Sequence, residues 1–178
     1  IILAGGFVDN IDSLHISSPG YSKNSVCSYV TIMQGCSNFC SYCIVPYTRG
    51  KESSRDIEEI YAEVSELASR GIREITLLGQ NVNAYGKDLY SFRRFDELLQ
   101  RLSSVGGIKR IRFTTSHPKD FDSPLVEAMA SIEKVCEHIH LPLQSGSDKI
   151  LKDMRRGYCF GDYLEKIELL RTKVPNCA

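Results

Sequence analysis

The chain has 178 residues, 42% of them hydrophobic, which is the size of one domain with enough apolar content for a single core. Its 22 Lys+Arg offset 22 Asp+Glu, so the global basic footprint of a nucleic-acid binder is absent and any RNA contact must be local or come from residues outside these. No apolar run reaches the length of a membrane span, and the opening "IILAGGFVDN" lacks the basic region and long apolar stretch of a signal peptide, so a cytoplasmic chain with no membrane contact is expected.

In chain order, "CSYVTIMQ" (Cys27 to Gln34) is a short β-rich run ending where a cysteine loop begins. Helical spacing follows at Ile57, Ile60, Tyr61, Val64, Leu67 and Ala68, with Ser54 as N-cap and Gly71 as stop. "REITLLGQ" predicts a strand, "FDELLQRLSSVGG" a helix closed by Gly106 and Gly107, and "IKRIRFTTS" another strand. "DSPLVEAMASI" predicts a helix capped by Asp122 or Ser123, "EHIHLPLQ" a fourth strand, "SDKILKDM" a short helix and "FGDYLEKIELLRTK" a longer one. Such alternation implies parallel strands joined by right-handed crossovers, hence an α/β fold: an open sheet or a piece of a βα barrel.

Ligands of such folds sit at the C-terminal ends of the strands. There the sequence places Gln34 to Cys43, "GQNVNAYG", "TSHP" and "QSGS", four polar clusters in phase on one rim. One active-site mouth would explain all four.

The seven cysteines are an odd number without a secretory signal, a poor match to a disulfide framework. Cys27, Cys136, Cys159 and Cys177 read as small packing residues or incidental thiols. Cys36, Cys40 and Cys43 stand apart, three thiols in a C-x-x-x-C-x-x-C loop. Structural zinc wants four convergent ligands, and none of His15, His117, His138 and His140 belongs to a paired zinc spacing. An iron–sulfur cube accepts thiolates on three irons and leaves the fourth open, which suits this loop better. A zinc-stabilised, non-catalytic RNA-binding module and a thiol redox sensor stay open as alternatives.

With Tyr42 before the last cysteine, the motif resembles the signature of radical S-adenosylmethionine (SAM) enzymes, and the likeness extends further. "YVTIMQGCSNFCSYCIVPYTRGKESSR", "LLGQNVNAYG", "RFTTSHPKDF" and "HLPLQSGSDKILKDMRRGY" together resemble the methylthiotransferases, of the tRNA-modifying MiaB type, over about residues 26 to 173. The resemblance implies a partial (βα) TIM-type barrel, parallel strands with outer helices. It also implies a 4Fe-4S cluster on Cys36, Cys40 and Cys43 whose open iron binds SAM, and a deoxyadenosyl radical made by reductive cleavage. Tyr42, Gln80, Ser116, Gln144 and Arg156 would contact SAM, Arg156 through its carboxylate.

The resemblance further implies methylthiolation of isopentenyladenosine beside the tRNA anticodon, the anticodon stem-loop being the partner and a flavodoxin or ferredoxin the electron donor. Other branches of the family, acting on a threonylcarbamoyl-adenosine or a ribosomal protein, are the alternative. Asn81 and Asn83 are candidates for substrate contact, and Arg49, Lys51 and Arg55 for RNA phosphates. Members of the family also carry an N-terminal domain with an auxiliary 4Fe-4S cluster and a C-terminal RNA-binding domain, neither found in these residues. Residues 1 to about 25, broken at Pro19 and Gly20, then read as the tail of such a first domain, with residues 26–178 as a radical SAM domain incomplete at its C-terminal end.

Overall fold

The computed structural model describes residues 25–178; the tail reading of residues 1–25, with Pro19 and Gly20, lies almost wholly outside the described residues. From β1 (Cys27–Thr31) the chain passes through β2 (Met33–Gln34), a one-turn α1 (Val45–Thr48) and β3 (Ser53–Ser54) into α2 (Ile57–Ser69) and β4 (Glu74–Leu78). A 3-10 turn at Val82–Ala84 precedes α3 (Lys87–Tyr90), α4 (Phe95–Ser103) and β5 (Arg110–Phe113). A second such turn at Pro118–Asp120 leads to α5 (Ser123–Ser131), α6 (Asp148–Asp153) and α7 (Phe160–Lys173).

Strands β1, β4 and β5 lie parallel in the order β1-β4-β5, with Val30 opposite Leu77 and Leu77 opposite Phe113. The two-residue period puts Val30, Ile75, Leu77, Ile111 and Phe113 on one face of the sheet. These side chains join Ile60, Val64 and Leu67 of α2 and Leu98, Leu99 and Leu102 of α4 in one core, none more than 2% exposed. Phe95 seals it edge-on against Phe113 at 5.1 Å between ring centres. The result is part of a βα barrel, parallel strands with their helices outside. No helix among the described residues is long and apolar enough to cross a membrane.

Three sequence expectations are corrected. Helix α2 is capped by Asp56, whose carboxylate accepts from the Glu58 N–H, because Ser54 is held in β3 by hydrogen bonds to Asp88. The run "CSYVTIMQ" is two strands, since after Thr31 the chain leaves β4 and pairs with β3 instead.

The fourth strand, "EHIHLPLQ", is not formed as a strand; among the described residues the sheet continues beyond β5 only as a single bridge between Ile111 and Val135. Backbone groups that a ladder would need are engaged elsewhere. The Ile139 N–H donates to the Ala178 carbonyl at 2.9 Å, and the Ala178 N–H donates to that of Glu137 at 3.0 Å. Pro142 has no N–H to offer, and Thr115, at φ +68°, turns the chain away after β5. One bond, Ser116 N–H to the His140 carbonyl, still holds the two segments side by side.

Candidate cysteine-loop site

A loop that must hold three sulfurs needs a closed neck. Here β2 and β3 pair antiparallel, Met33 with Ser54 and Gln34 with Ser53, and the Cys36 N–H donates to the Gly50 carbonyl at 3.1 Å. The two arms approach so closely at Gly35 that a Cβ there would sit 1.9 Å from the Lys51 carbonyl oxygen, and its φ of +76° also favours glycine. From the next rim segment, Gln80 Oε1 accepts the Gly35 N–H at 2.6 Å and fixes the loop to the end of β4.

Within the loop, the Cys43 N–H donates to the Cys40 carbonyl at 3.0 Å, and the Ser41 N–H donates to the Met154 carbonyl at the end of α6 at 3.1 Å. Cys40 is buried; Cys36 and Cys43 are partly exposed. Burial pushes the Cys36 thiol up, and the charges of Glu52, Cys40 and Cys43 push the same way. A thiol so raised is a poor thiolate alone and a good one beside cationic iron. Among the described residues, no group of three or more His, Cys, Asp or Glu side chains is gathered about one point, as a single tetrahedral zinc would require. A four-iron cube gives each thiolate its own iron, and three sulfurs on one necked loop fit that demand.

Arg156, only 5% exposed, reaches this loop from beyond α6. Its Nη1 donates to the Cys40 sulfur and to the Tyr42 hydroxyl, each at 3.3 Å. Nε donates to the Tyr158 hydroxyl at 3.2 Å, which in turn donates to the Leu143 carbonyl at 2.6 Å. Nη2 makes no hydrogen bond among the described residues.

His117 belongs to no paired zinc spacing, yet its Nε2 lies 3.9 Å from the Cys40 sulfur. Burial lowers the imidazole pKa to about 4, with the Arg156 charge adding to the effect. Its place in "TSHP", on the rim, was the signal that could have found it.

The other expected residues divide. Ser116 is buried beside the rim with its hydroxyl unpartnered among the described residues, so it has a donor to give. Gln144 is exposed at φ +75°, a strained setting of the kind that gathers at functional sites. Tyr42 is 54% exposed, its hydroxyl accepting from Arg156. Asn81 and Asn83 are instead buried, at 1% and 2% exposure, Asn81 donating to Asp120 at 2.7 Å and Asn83 with an unpartnered amide. Arg55 donates to Glu63 at 2.6 Å and to the Thr31 carbonyl at 2.8 Å, which makes it a brace, whereas Arg49 and Lys51 are exposed.

Hydrogen bonds and contacts thus join three of the rim segments, Gly35 to Gln80, Val82 N–H to the Thr115 carbonyl at 3.1 Å and His117 to Cys40, while Tyr158 holds the Leu143 carbonyl just before the fourth. A three-cysteine loop on the C-terminal rim of a partial βα barrel defines a radical SAM domain: residues 30–178 match the Radical SAM superfamily, and the chain belongs to it.

Among curated proteins it is similar to tRNA-2-methylthio-N(6)-dimethylallyladenosine synthases. That of Desulforamulus reducens is 52% identical over 162 residues, 91% of this chain and 36% of that protein. The enzyme from a Thermoanaerobacter species is 58% identical over 151 residues, 85% of this chain and 32% of that protein. The chain thus spans about a third of the length of these relatives. In fold it is similar to the radical S-adenosylmethionine methyltransferase TsrM from Kitasatospora setae, with a TM-score of 0.63 at 19% identity over 85% of this chain and 29% of that one.

Proposed function

We propose that this chain is the radical SAM domain of a methylthiotransferase acting on dimethylallyl- (isopentenyl-) adenosine beside the anticodon of tRNA. The observation that carries this reading is identity above one half across nearly the whole chain, cysteine loop included, to synthases of that product. On this reading residues 26–178 are the catalytic domain, and residues 1–25 are the tail of a preceding one that houses an auxiliary cluster.

Cys36, Cys40 and Cys43 hold a 4Fe-4S cluster, and S-adenosylmethionine binds beside it. Together these groups supply the one-electron chemistry that activates an otherwise inert carbon–hydrogen bond. The chain's own residues do the positioning. Gln80 stiffens the loop neck, Arg156 offers Nη2 to a carboxylate, Ser116 offers its hydroxyl, and Tyr42 and Gln144 border the mouth. Arg49 and Lys51, exposed on the segment leaving the loop, meet RNA phosphates, and an anticodon-loop base, unpaired or easily splayed, enters at the rim. Reduction comes from a small cytoplasmic electron carrier such as flavodoxin or ferredoxin.

The test is anaerobic reconstitution with iron and sulfide, followed by addition of S-adenosylmethionine, dithionite and dimethylallyl-adenosine tRNA to the full-length protein. Brown absorption, release of methionine and a methylthio product on the tRNA are expected. Zinc uptake without visible absorption would overturn the reading.

A further inference from the structure

The three loop sulfurs are not equivalent. Two buried side chains place N–H groups on Cys40: Arg156 Nη1 at 3.3 Å and His117 Nε2 at 3.9 Å. Cys36 receives a backbone N–H from Asn38, and among the described residues no side-chain N–H reaches Cys36 or Cys43.

The direction of the His117 contact follows from the other side of its ring. Nδ1 accepts the Lys119 N–H at 3.1 Å and therefore carries no proton, so in the neutral ring the proton is on Nε2 and points at the sulfur. The ring is held edge-on against Tyr158 at 5.8 Å between centres. Tyr158 also takes the Arg156 Nε–H and is pinned to the Leu143 carbonyl. One tyrosine therefore orients both donors. At 6% and 5% exposure, His117 and Arg156 act where water does not compete.

We propose that His117 and Arg156 are a positioning pair that holds the cluster-bound Cys40 sulfur through two N–H···S hydrogen bonds and raises the cluster's reduction potential. The proposal rests on the reading of Cys40 as a cluster ligand. Reduction adds one electron whose charge spreads onto the thiolate sulfurs, and donors already aimed at a sulfur stabilise the reduced form more than the oxidised one. Because both donors meet Cys40, its iron is the one most affected. The same arrangement links the mouth to the potential, since Arg156 also touches Tyr42.

The decisive variants are His117→Leu, which removes the donor, and His117→Gln, whose amide N–H can stand near the position of Nε2. Each is reconstituted alongside wild type, and the midpoint is read by EPR-monitored redox titration. His117→Leu is expected to move to a more negative midpoint, its reduced-to-oxidised ratio at a fixed potential falling by up to about fivefold, the limit set by one ordinary hydrogen bond made fully in the reduced state. His117→Gln is expected to stay near wild type. A His117→Leu protein with full iron and sulfide content and an unchanged midpoint would overturn the proposal. If wild type takes up no cluster, the functional reading fails first, seen as missing visible absorption. Should His117→Leu not fold, pulsed EPR of wild type labelled with 15N-histidine decides: a histidine coupling to the reduced cluster supports the N–H···S bond, and its absence refutes it.

Discussion

Arg156 Nη1 lies 3.3 Å from the sulfur of Cys40, 116 residues away along the chain, and 3.3 Å from the Tyr42 hydroxyl. A planar fork can serve a sulfur, two tyrosines and an anion at once; an ammonium cannot. Arg156→Lys should therefore lower stability by about 2 kcal/mol, the cost of stranding buried polar partners. It should also weaken S-adenosylmethionine binding. Urea unfolding and calorimetric titration of the reconstituted chain check the two effects separately.

The neck of the loop admits no side chain at Gly35. Gly35→Ala combines left-handed backbone strain of about 1–3 kcal/mol with a clash against the Lys51 carbonyl. Gly146, where an added Cβ meets nothing within 4 Å, is the control. Iron content after reconstitution should fall sharply for Gly35→Ala and hold for Gly146→Ala; equal iron in both would show that the neck does not shape the site.

Cysteines outside the loop have other tasks. Cys159 caps α7: its sulfur accepts the Asp162 N–H at 3.4 Å while the Asp162 carboxylate accepts the Cys159 N–H at 2.8 Å. Serine is a better cap than cysteine, so Cys159→Ser should keep full iron content and the same melting temperature or a slightly higher one, the gain being at most ~1 kcal/mol. By contrast, Cys36→Ala, Cys40→Ala and Cys43→Ala should each abolish the visible absorption.

Arginines that look alike in the sequence separate in the fold. Arg49→Glu with Lys51→Glu should weaken tRNA binding and flatten its salt dependence, leaving the melting temperature alone. Arg55→Ala should do the reverse, costing ~1 kcal/mol through the lost Glu63 and Thr31 contacts with little change in RNA affinity. Filter binding across a salt series distinguishes them, and equal loss of RNA affinity in both would refute the division.

Deep in the sheet, Leu77 is fully buried between β1 and β5. Truncation to alanine should cost about 2–5 kcal/mol in urea unfolding, with the midpoint potential of any cluster unchanged. A shifted potential would mean that the core and the loop are mechanically coupled.

Periodic and short-range signals were legible in the chain itself. The alternation of β1, β4 and β5, the helices α2, α4, α5 and α7, the three-cysteine loop and the four rim segments all depend on residues close together in sequence, whose spacing carries the physics. What depends on the partner of a particular backbone or side-chain group was not legible. The segment "EHIHLPLQ" has strand composition, but its hydrogen bonds go to Ala178 and to the Tyr158 and Tyr163 hydroxyls, and one goes to the chain just past β5. Arg55 and Arg49 have the same chemistry, and the placement of Glu63 and the Thr31 carbonyl separates a brace from an exposed cation. His117 shows the same limit: its sequence neighbours set it on the rim, while its contact with Cys40, 77 residues earlier, exists only because packing against Tyr158 and the turn at Lys119 aims the ring there. Local spacing determined which chemistry the chain carries; three-dimensional hydrogen bonding decided which side chains remain free to use it.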